Sequence, residues 1–206
     1  MISVFVSQQH QLGPHQEWHD CLDQRWPQLL QQADILAIPV PNHAELVMRL
    51  WQQIKPAGVI LTGGGEFDPQ LADPRSQTEQ QLIKLALEHN KPLVGVCRGM
   101  QALLQSLGNP LQATAGHVCP RQSIQINQQT ISVNSFHNFG FKSLDDPNIE
   151  VWARADDGVI KAIQHKQAKQ LGIMWHPERP HAAQARSIQL LQRLFVQQEY
   201  PCAHLF

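Results

Sequence analysis

Leu93-Val94-Gly95-Val96-Cys97-Arg98-Gly99-Met100-Gln101 is the stretch on which the reading of this chain turns. An apolar run short enough for a buried strand leads into Cys97, and a helical pattern over 99–107 follows until Gly108-Asn109-Pro110 ends it. Glycines stand two residues before and two residues after the cysteine. That is the nucleophile-elbow pattern G-x-S-x-G with cysteine in place of serine. The glycines have a steric reason, because the backbone approaches itself at a strained strand-to-helix turn and only glycine leaves room. A cysteine gains there as well, since the positive end of the helix favours the thiolate. The bland alternative is a small residue at a tight turn, with no chemistry attached.

Two other segments weigh against that alternative. In Gly172-Ile173-Met174-Trp175-His176-Pro177-Glu178-Arg179 a strand delivers His176, and Glu178 follows two residues later. A cysteine nucleophile needs a base, and the base needs an orienting carboxylate. Pro177 restricts the loop, so both side chains can turn toward one crevice. In Val59-Ile60-Leu61-Thr62-Gly63-Gly64-Gly65-Glu66 a strand runs into three glycines. Their N–H groups can face a developing oxyanion, joined by the N–H of Arg98. A phosphate loop is the weaker reading, because neither G-x-G-x-x-G nor the lysine of a P-loop is present. An esterase of the α/β-hydrolase type shares the elbow, but there the acid precedes the histidine, whereas Glu178 follows His176.

Outward from the elbow, apolar β-branched runs at 2–6, 35–38, 58–61 and 93–96 alternate with helical patterns at 19–31, 43–54, 76–90 and 99–107. Such alternation predicts βαβ units, hence an α/β fold with a mostly parallel central sheet and helices on both faces. The second half changes character. Residues 123–126 and 130–133, and again 150–155 and 159–165, read as antiparallel hairpins, the latter turning at Asp156-Asp157-Gly158. A last strand over 170–175 and an amphipathic helix over 181–198 complete the pattern. No repeat or linker divides residues 1–206, so one domain is expected.

Composition restricts the partners. The 16 basic and 17 acidic residues leave a net charge of −1, which offers no footprint for a nucleic acid polymer or an anionic membrane. Charged residues make up only 16% against a usual ~25%, and 29 glutamines supply much of the polar surface. No apolar run nears the ~20 residues of a membrane span, and the N-terminal run lacks a secretory pattern, so a cytoplasmic protein is expected. Cys21, Cys97, Cys119 and Cys202 are scattered without a C-x-x-C pair, which fits that compartment. The histidines lack convincing metal-ligand spacing, Gly116-His117-Val118-Cys119 being a pair without partners, so no metal is expected.

Together, Gly95-Val96-Cys97-Arg98-Gly99-Met100-Gln101, the glycine turn and His176-Pro177-Glu178 resemble class I glutamine amidotransferases, and within them the γ-glutamyl hydrolase group. The resemblance spans 58–179 in the right order. It implies a flavodoxin-like sheet, a Cys97-His176-Glu178 triad, and Gly64 and Arg98 as oxyanion donors. It also places Gly65 (the alternative donor), Gln101, Asn134, Ser135, Phe136 and His137 around the glutamyl group. The implied reaction is hydrolysis of a γ-glutamyl amide through a glutamyl thioester, with no cofactor and with a small molecule as substrate. The chain ends about 28 residues after Glu178, which favours a stand-alone hydrolase over the glutaminase subunit of an amidotransferase.

The segments 18–26, 115–118 and 134–140 are similar to a branch linked to surface-polysaccharide genes, where γ-glutamyl-CDP-amidate is the substrate. Arg98, Arg121 and Arg179 are candidates for holding its anionic leaving group. Other small γ-glutamyl amides, including γ-glutamyl-GABA, stay open, as do a homodimer and a non-catalytic binding relative.

Overall fold

The computed structural model describes residues 1–200 apart from 66, 69 and 71. In chain order its first half holds β1 (Ile2–Ser7), β2 (Gln9–Leu12), β3 (Trp18–Cys21), α1 (Arg25–Gln32), β4 (Ile35–Val40), α2 (Ala44–Ile54), β5 (Gly58–Leu61), α3 (Pro74–Glu88), β6 (Leu93–Val96) and α4 (Arg98–Ser106). The second half holds β7 (Gln112–Ala113), β8 (Val118–Ile126), β9 (Gln129–Phe136), β10 (Phe139–Gly140), β11 (Ile149–Ala155), β12 (Ile160–His165), β13 (Gln170–Ile173) and α5 (Gln184–Leu191), which continues as a π-helix over Gln192–Gln197.

Nine strands form one sheet in the order β4-β1-β5-β6-β13-β12-β11-β8-β9. From β4 to β13 neighbours run parallel, and from β13 to β9 they run antiparallel. The parallel part has the flavodoxin-like order, and its inner strands β5 and β6 are apolar and buried throughout because both faces are covered. Along β1 the side chains alternate between two cores. Val4 and Val6 pack with Trp26, Leu29 and Leu30 of α1 and with Leu190 and Leu191 of α5. Phe5 packs on the other face with Val47 and Trp51 of α2, Leu82 of α3 and Leu103 of α4. Both predicted hairpins are present, and the first is longer than its sequence pattern suggested. It turns at Asn127 and Gln128, whose φ of 48° and 67° are the left-handed pair that a two-residue hairpin loop requires.

The helical pattern over 19–31 was partly misleading. Residues Trp18–Cys21 are β3, paired with β2 from Gln9↔Cys21 to Leu12↔Trp18, and the helix starts only at Arg25. Cross-strand contacts outweigh helical spacing here: the Trp18 ring stacks on His10 at 4.5 Å, and His10 meets Asp20 at 3.2 Å. Asp23 then accepts the Arg25 N–H at 3.0 Å, and Pro27 sits in the first turn, where its missing N–H costs nothing. Cys21, Cys97 and Cys119 are free thiols, while Cys202 and Glu66 lie outside the described residues. Among the described residues no helix is long and apolar enough to cross a membrane.

Candidate active site

Three strands of the parallel half end in one crevice at their carboxyl edge: β5 in the turn Thr62-Gly63-Gly64-Gly65, β6 in Cys97, and β13 in the segment reaching His176. This is where open α/β sheets bind ligands. Cys97 has φ 53° and ψ −106°, a left-handed conformation strained for any residue with a side chain. The flanking glycines make it attainable. A Cβ on Gly99 would lie 2.2 Å from the Leu61 carbonyl oxygen, and one on Gly95 would lie 2.5 Å from that of Gly99. The Cys97 N–H donates to the Ile173 carbonyl at 2.7 Å, tying the elbow to β13. Its side chain is nearly buried, with Sγ 3.9 Å from the Phe136 carbonyl oxygen.

His176 and Glu178 are both buried, and Nδ1 of the imidazole lies 2.7 Å from Oε1 of the carboxylate. That bond fixes the ring and leaves Nε2 free of hydrogen-bond partners among the described residues. Gly63 lies beneath the pair: a Cβ there would sit 2.5 Å from His176 Cε1 and 3.3 Å from Cys97 Cβ. Burial disfavours a charged imidazole, but the side chains of Cys97 and Glu178 outweigh it and raise the His176 pKa to about 9. The ring is therefore held protonated at neutral pH. Asn134 clamps its backbone. Its Oδ1 accepts the His176 N–H at 2.8 Å, and its Nδ2 donates to the His176 carbonyl at 2.9 Å. Asn134→Ala leaves the buried His176 N–H unpaired and its carbonyl with only the Arg179 N–H at 3.2 Å, and is expected to cost about 1–3 kcal/mol, read as a lower urea midpoint.

The glycine turn is oriented from behind. Arg75, 4% exposed, donates to the carbonyls of Thr62 at 2.9 Å, Gly63 at 3.2 Å and Gly64 at 2.6 Å. In a trans peptide the N–H points opposite the C=O. With the Gly63 and Gly64 carbonyls held by Arg75, the N–H groups of Gly64 and Gly65 face away from it. Both glycines need their φ of 87° and 72°, which side chains rarely adopt. The N–H of Arg98 opens α4, at the helix end where backbone donors lack intrahelical partners. Glu79, fully buried, anchors Arg75 through Nε at 2.9 Å and also pairs with Arg98.

A cavity of about 240 Å³ opens beside Cys97 and is bounded by Gly64, Gly65, Gln101, Phe136, His137 and Phe139. Gln101 donates through Nε2 to the Phe139 carbonyl at 2.8 Å, which holds it in the wall. The 134–137 segment divides. Phe136 and His137 line the cavity, while Asn134 is committed to the His176 backbone and Ser135 donates through Oγ to the His117 carbonyl at 2.8 Å. Asn134 and Ser135 thus support the site from behind and do not line it. This corrects their expected place against the substrate: strand alternation turns the Ser135 side chain away from Phe136, and the backbone of His176 occupies that of Asn134.

The three arginines proposed for an anionic leaving group also separate. Arg98 is 1% exposed and bound by Glu79 and by Ser76 at 3.1 Å, so its guanidinium does not reach the cavity. Arg121 lies exposed on β8. Arg179 stands at the rim, its guanidinium 4.7 Å from the Phe136 ring centroid and its side chain 29% exposed. Arg75, Glu79 and Lys161 escaped the sequence reading. The i, i+4 spacing of Arg75 and Glu79 was visible, but such pairs are common on solvated helix faces. Nothing in the sequence marks them as buried.

Residues 23–196 match the family described as glutamine amidotransferase class-I. The chain is 31% identical over 187 residues to the γ-glutamyl-CDP-amidate hydrolase of Campylobacter jejuni, covering 88% of this chain and 90% of that one. It is 28% identical over 202 residues to the γ-glutamyl-γ-aminobutyrate hydrolase of Escherichia coli O157:H7, covering 76% of this chain and 78% of that one. Its fold is similar to that of a glutamine amidotransferase from Thermotoga maritima, with a TM-score of 0.64 at 16% identity, covering 99% of this chain and 88% of that one. This chain belongs to the class-I glutamine amidotransferase family.

Proposed function

We propose that the protein is a cysteine hydrolase that cleaves a γ-glutamyl amide and releases glutamate. One observation carries this reading: Cys97 stands on a strained elbow beside the His176–Glu178 pair, at the mouth of a cavity bounded by the glycine turn. Cys97 attacks the γ-carbonyl as a thiolate, and the N–H groups of Gly64 (with Gly65 as alternative) and Arg98 stabilise the tetrahedral oxyanion. His176, held protonated, gives its Nε2 proton to the leaving nitrogen as the C–N bond breaks. Water then adds to the glutamyl thioester with His176 as base, and glutamate leaves as the thiolate re-forms. The cycle consumes one water and needs no metal or organic cofactor. Gln101, Phe136 and His137 hold the glutamyl group.

The finer reading is γ-glutamyl-CDP-amidate as substrate, cut to cytidine diphosphoramidate and glutamate during surface-polysaccharide synthesis. The similarity to the Campylobacter jejuni hydrolase supports it, and so does Arg179 at the rim, where a diphosphate needs a cation. γ-Glutamyl-GABA is the second reading, favoured by the likeness to the Escherichia coli enzyme. Three free thiols fit a reducing cytoplasm. We read the chain as one hydrolase domain that acts on a small molecule, binds neither nucleic acid polymers nor membranes, and leaves a homodimer open. Glutamate release from γ-glutamyl-CDP-amidate, γ-glutamyl-GABA and glutamine is expected to rank the CDP-amidate first by at least tenfold in kcat/KM. Preference for γ-glutamyl-GABA would replace the finer reading, and no release from any γ-glutamyl amide would overturn the function itself.

A further inference from the structure

Lys161 is a buried cation with no part in the chemistry above, and it meets the wall of the substrate cavity at His137. It lies on β12 with 1% exposure, and its Nζ contacts Ser135 Oγ at 3.0 Å and His137 Nε2 at 2.6 Å. His137 is itself buried and lines the cavity together with Cys97. Its other ring nitrogen, Nδ1, lies 2.9 Å from the Phe139 carbonyl oxygen. These two contacts determine the ring. A carbonyl oxygen only accepts, so Nδ1 carries a proton, and an ammonium only donates, so Nε2 keeps its lone pair. One proton lies between Nε2 and Nζ, and the ordinary pKa of lysine, about four units above that of histidine, leaves it on Lys161. The other partner is directed in the same sense. Ser135 Oγ gives its hydrogen to the His117 carbonyl at 2.8 Å and so meets the ammonium with a lone pair.

The other groups packed around the ring do not bond its nitrogens. His117 stacks on His137 with centroids 4.9 Å apart, but its own nitrogens are taken by Asp157 at 3.0 Å and Gln122 at 2.8 Å. Asp157, 46% exposed, is thus spent on His117. Cys97 borders the same cavity, and Lys161, His117 and His176 act on His137 as positive charges. We propose that Lys161 is a positioning residue that fixes His137 as a neutral Nδ1–H imidazole in the cavity wall, so that the glutamyl pocket keeps one shape and one charge as pH falls. Without the ammonium, Nε2 is a buried acceptor deprived of its donor, and the ring is free to turn or to take up a proton. Burial and the neighbouring ammonium agree with this state, since they hold the His137 pKa down at about 3. Burial also lowers Lys161 to about 8, so the ammonium is in place at pH 7 and below. That the cavity takes a glutamyl group rests on the function proposed above, whereas the state of the ring does not.

Nitrogen NMR of the histidine rings, with His137 assigned from its loss in His137→Gln, reads the ring without any substrate. In the wild type His137 is expected to show a protonated Nδ1 and a bare, hydrogen-bonded Nε2 at every pH from about 5 to 7. A wild-type ring that charges within that range, or that carries its proton on Nε2, would overturn the proposal, and this measurement needs no variant that must fold. In Lys161→Met the Nε2 resonance is expected to move downfield as its donor is lost. A folded Lys161→Met protein with an unmoved Nε2 resonance would overturn the proposal too, because a merely structural lysine would alter stability and leave the ring alone. For the γ-glutamyl amide that the wild type cleaves best, Lys161→Met should raise KM about tenfold and leave kcat within about threefold, since a wall residue grips the glutamyl group alike in the ground and transition states. A fall in kcat at unchanged KM would overturn the role given to the wall. Wild-type protein that cleaves no γ-glutamyl amide yet shows the expected ring would defeat the proposed function and leave this inference standing.

Discussion

Cys97→Ala is expected to lower glutamate release by about 10⁴-fold or more, with the fold retained. The size follows from the covalent route, because without the sulfur no thioester forms and only binding and the oxyanion donors remain. Folding should survive, since the Sγ contact with the Phe136 carbonyl is long, at 3.9 Å, and alanine keeps the same strained backbone. Thermal unfolding checks this within a few degrees of the wild type. The wild-type pH profile carries a companion expectation. His176 is raised to about 9, so its proton is in place across the neutral range and is lost as pH climbs through that value. kcat/KM should therefore fall on the alkaline side as pH rises through about 9. Activity that persists unchanged in Cys97→Ala would end the covalent mechanism, and a flat profile up to pH 10 would end the role of His176 as acid.

The parallel half of the fold was legible because local rules and global packing agree there. An apolar strand, a glycine-flanked cysteine and a helix follow one another within 93–101, and the structure uses each as its local chemistry suggests. The β2–β3 hairpin was not legible, because Cys21, Leu22 and Trp26 fall at helical spacing, and pairing with residues six to twelve positions earlier decided the outcome. The second layer of the site was hidden for a different reason. Whether Asn134 faces a substrate or the backbone of His176 depends on how β9 meets the segment after β13, strands far apart in sequence. Nothing in the hairpin pattern of 159–165 marks Lys161 as buried, and the packing of β12 between β11 and β13 buries it.

That second layer carries the largest stability prediction. Glu79 is fully buried and gathers three donors: Ser7 Oγ at 2.9 Å, Arg75 Nε at 2.9 Å, and the guanidinium of Arg98. Glu79→Gln keeps the shape and can still accept from Ser7, but it leaves two guanidinium groups, both under 5% exposed, without the carboxylate between them. Removing one partner of a buried charge cluster costs about 3–5 kcal/mol, much more than an exposed pair would. The urea midpoint should drop accordingly, while Glu45→Gln, exposed in the first turn of α2, should lower it far less. Activity of the remaining folded protein should fall as well. Arg75 holds the carbonyls of Thr62, Gly63 and Gly64, and once Glu79 releases it the donors of the glycine turn lose their fixed direction. The loss should appear in kcat more than in KM, because the oxyanion exists only in the transition state and the intermediates. A Glu79→Gln protein with the wild-type midpoint and the wild-type kcat would mean that the arginines are neutralised from elsewhere and that the turn keeps its orientation without them.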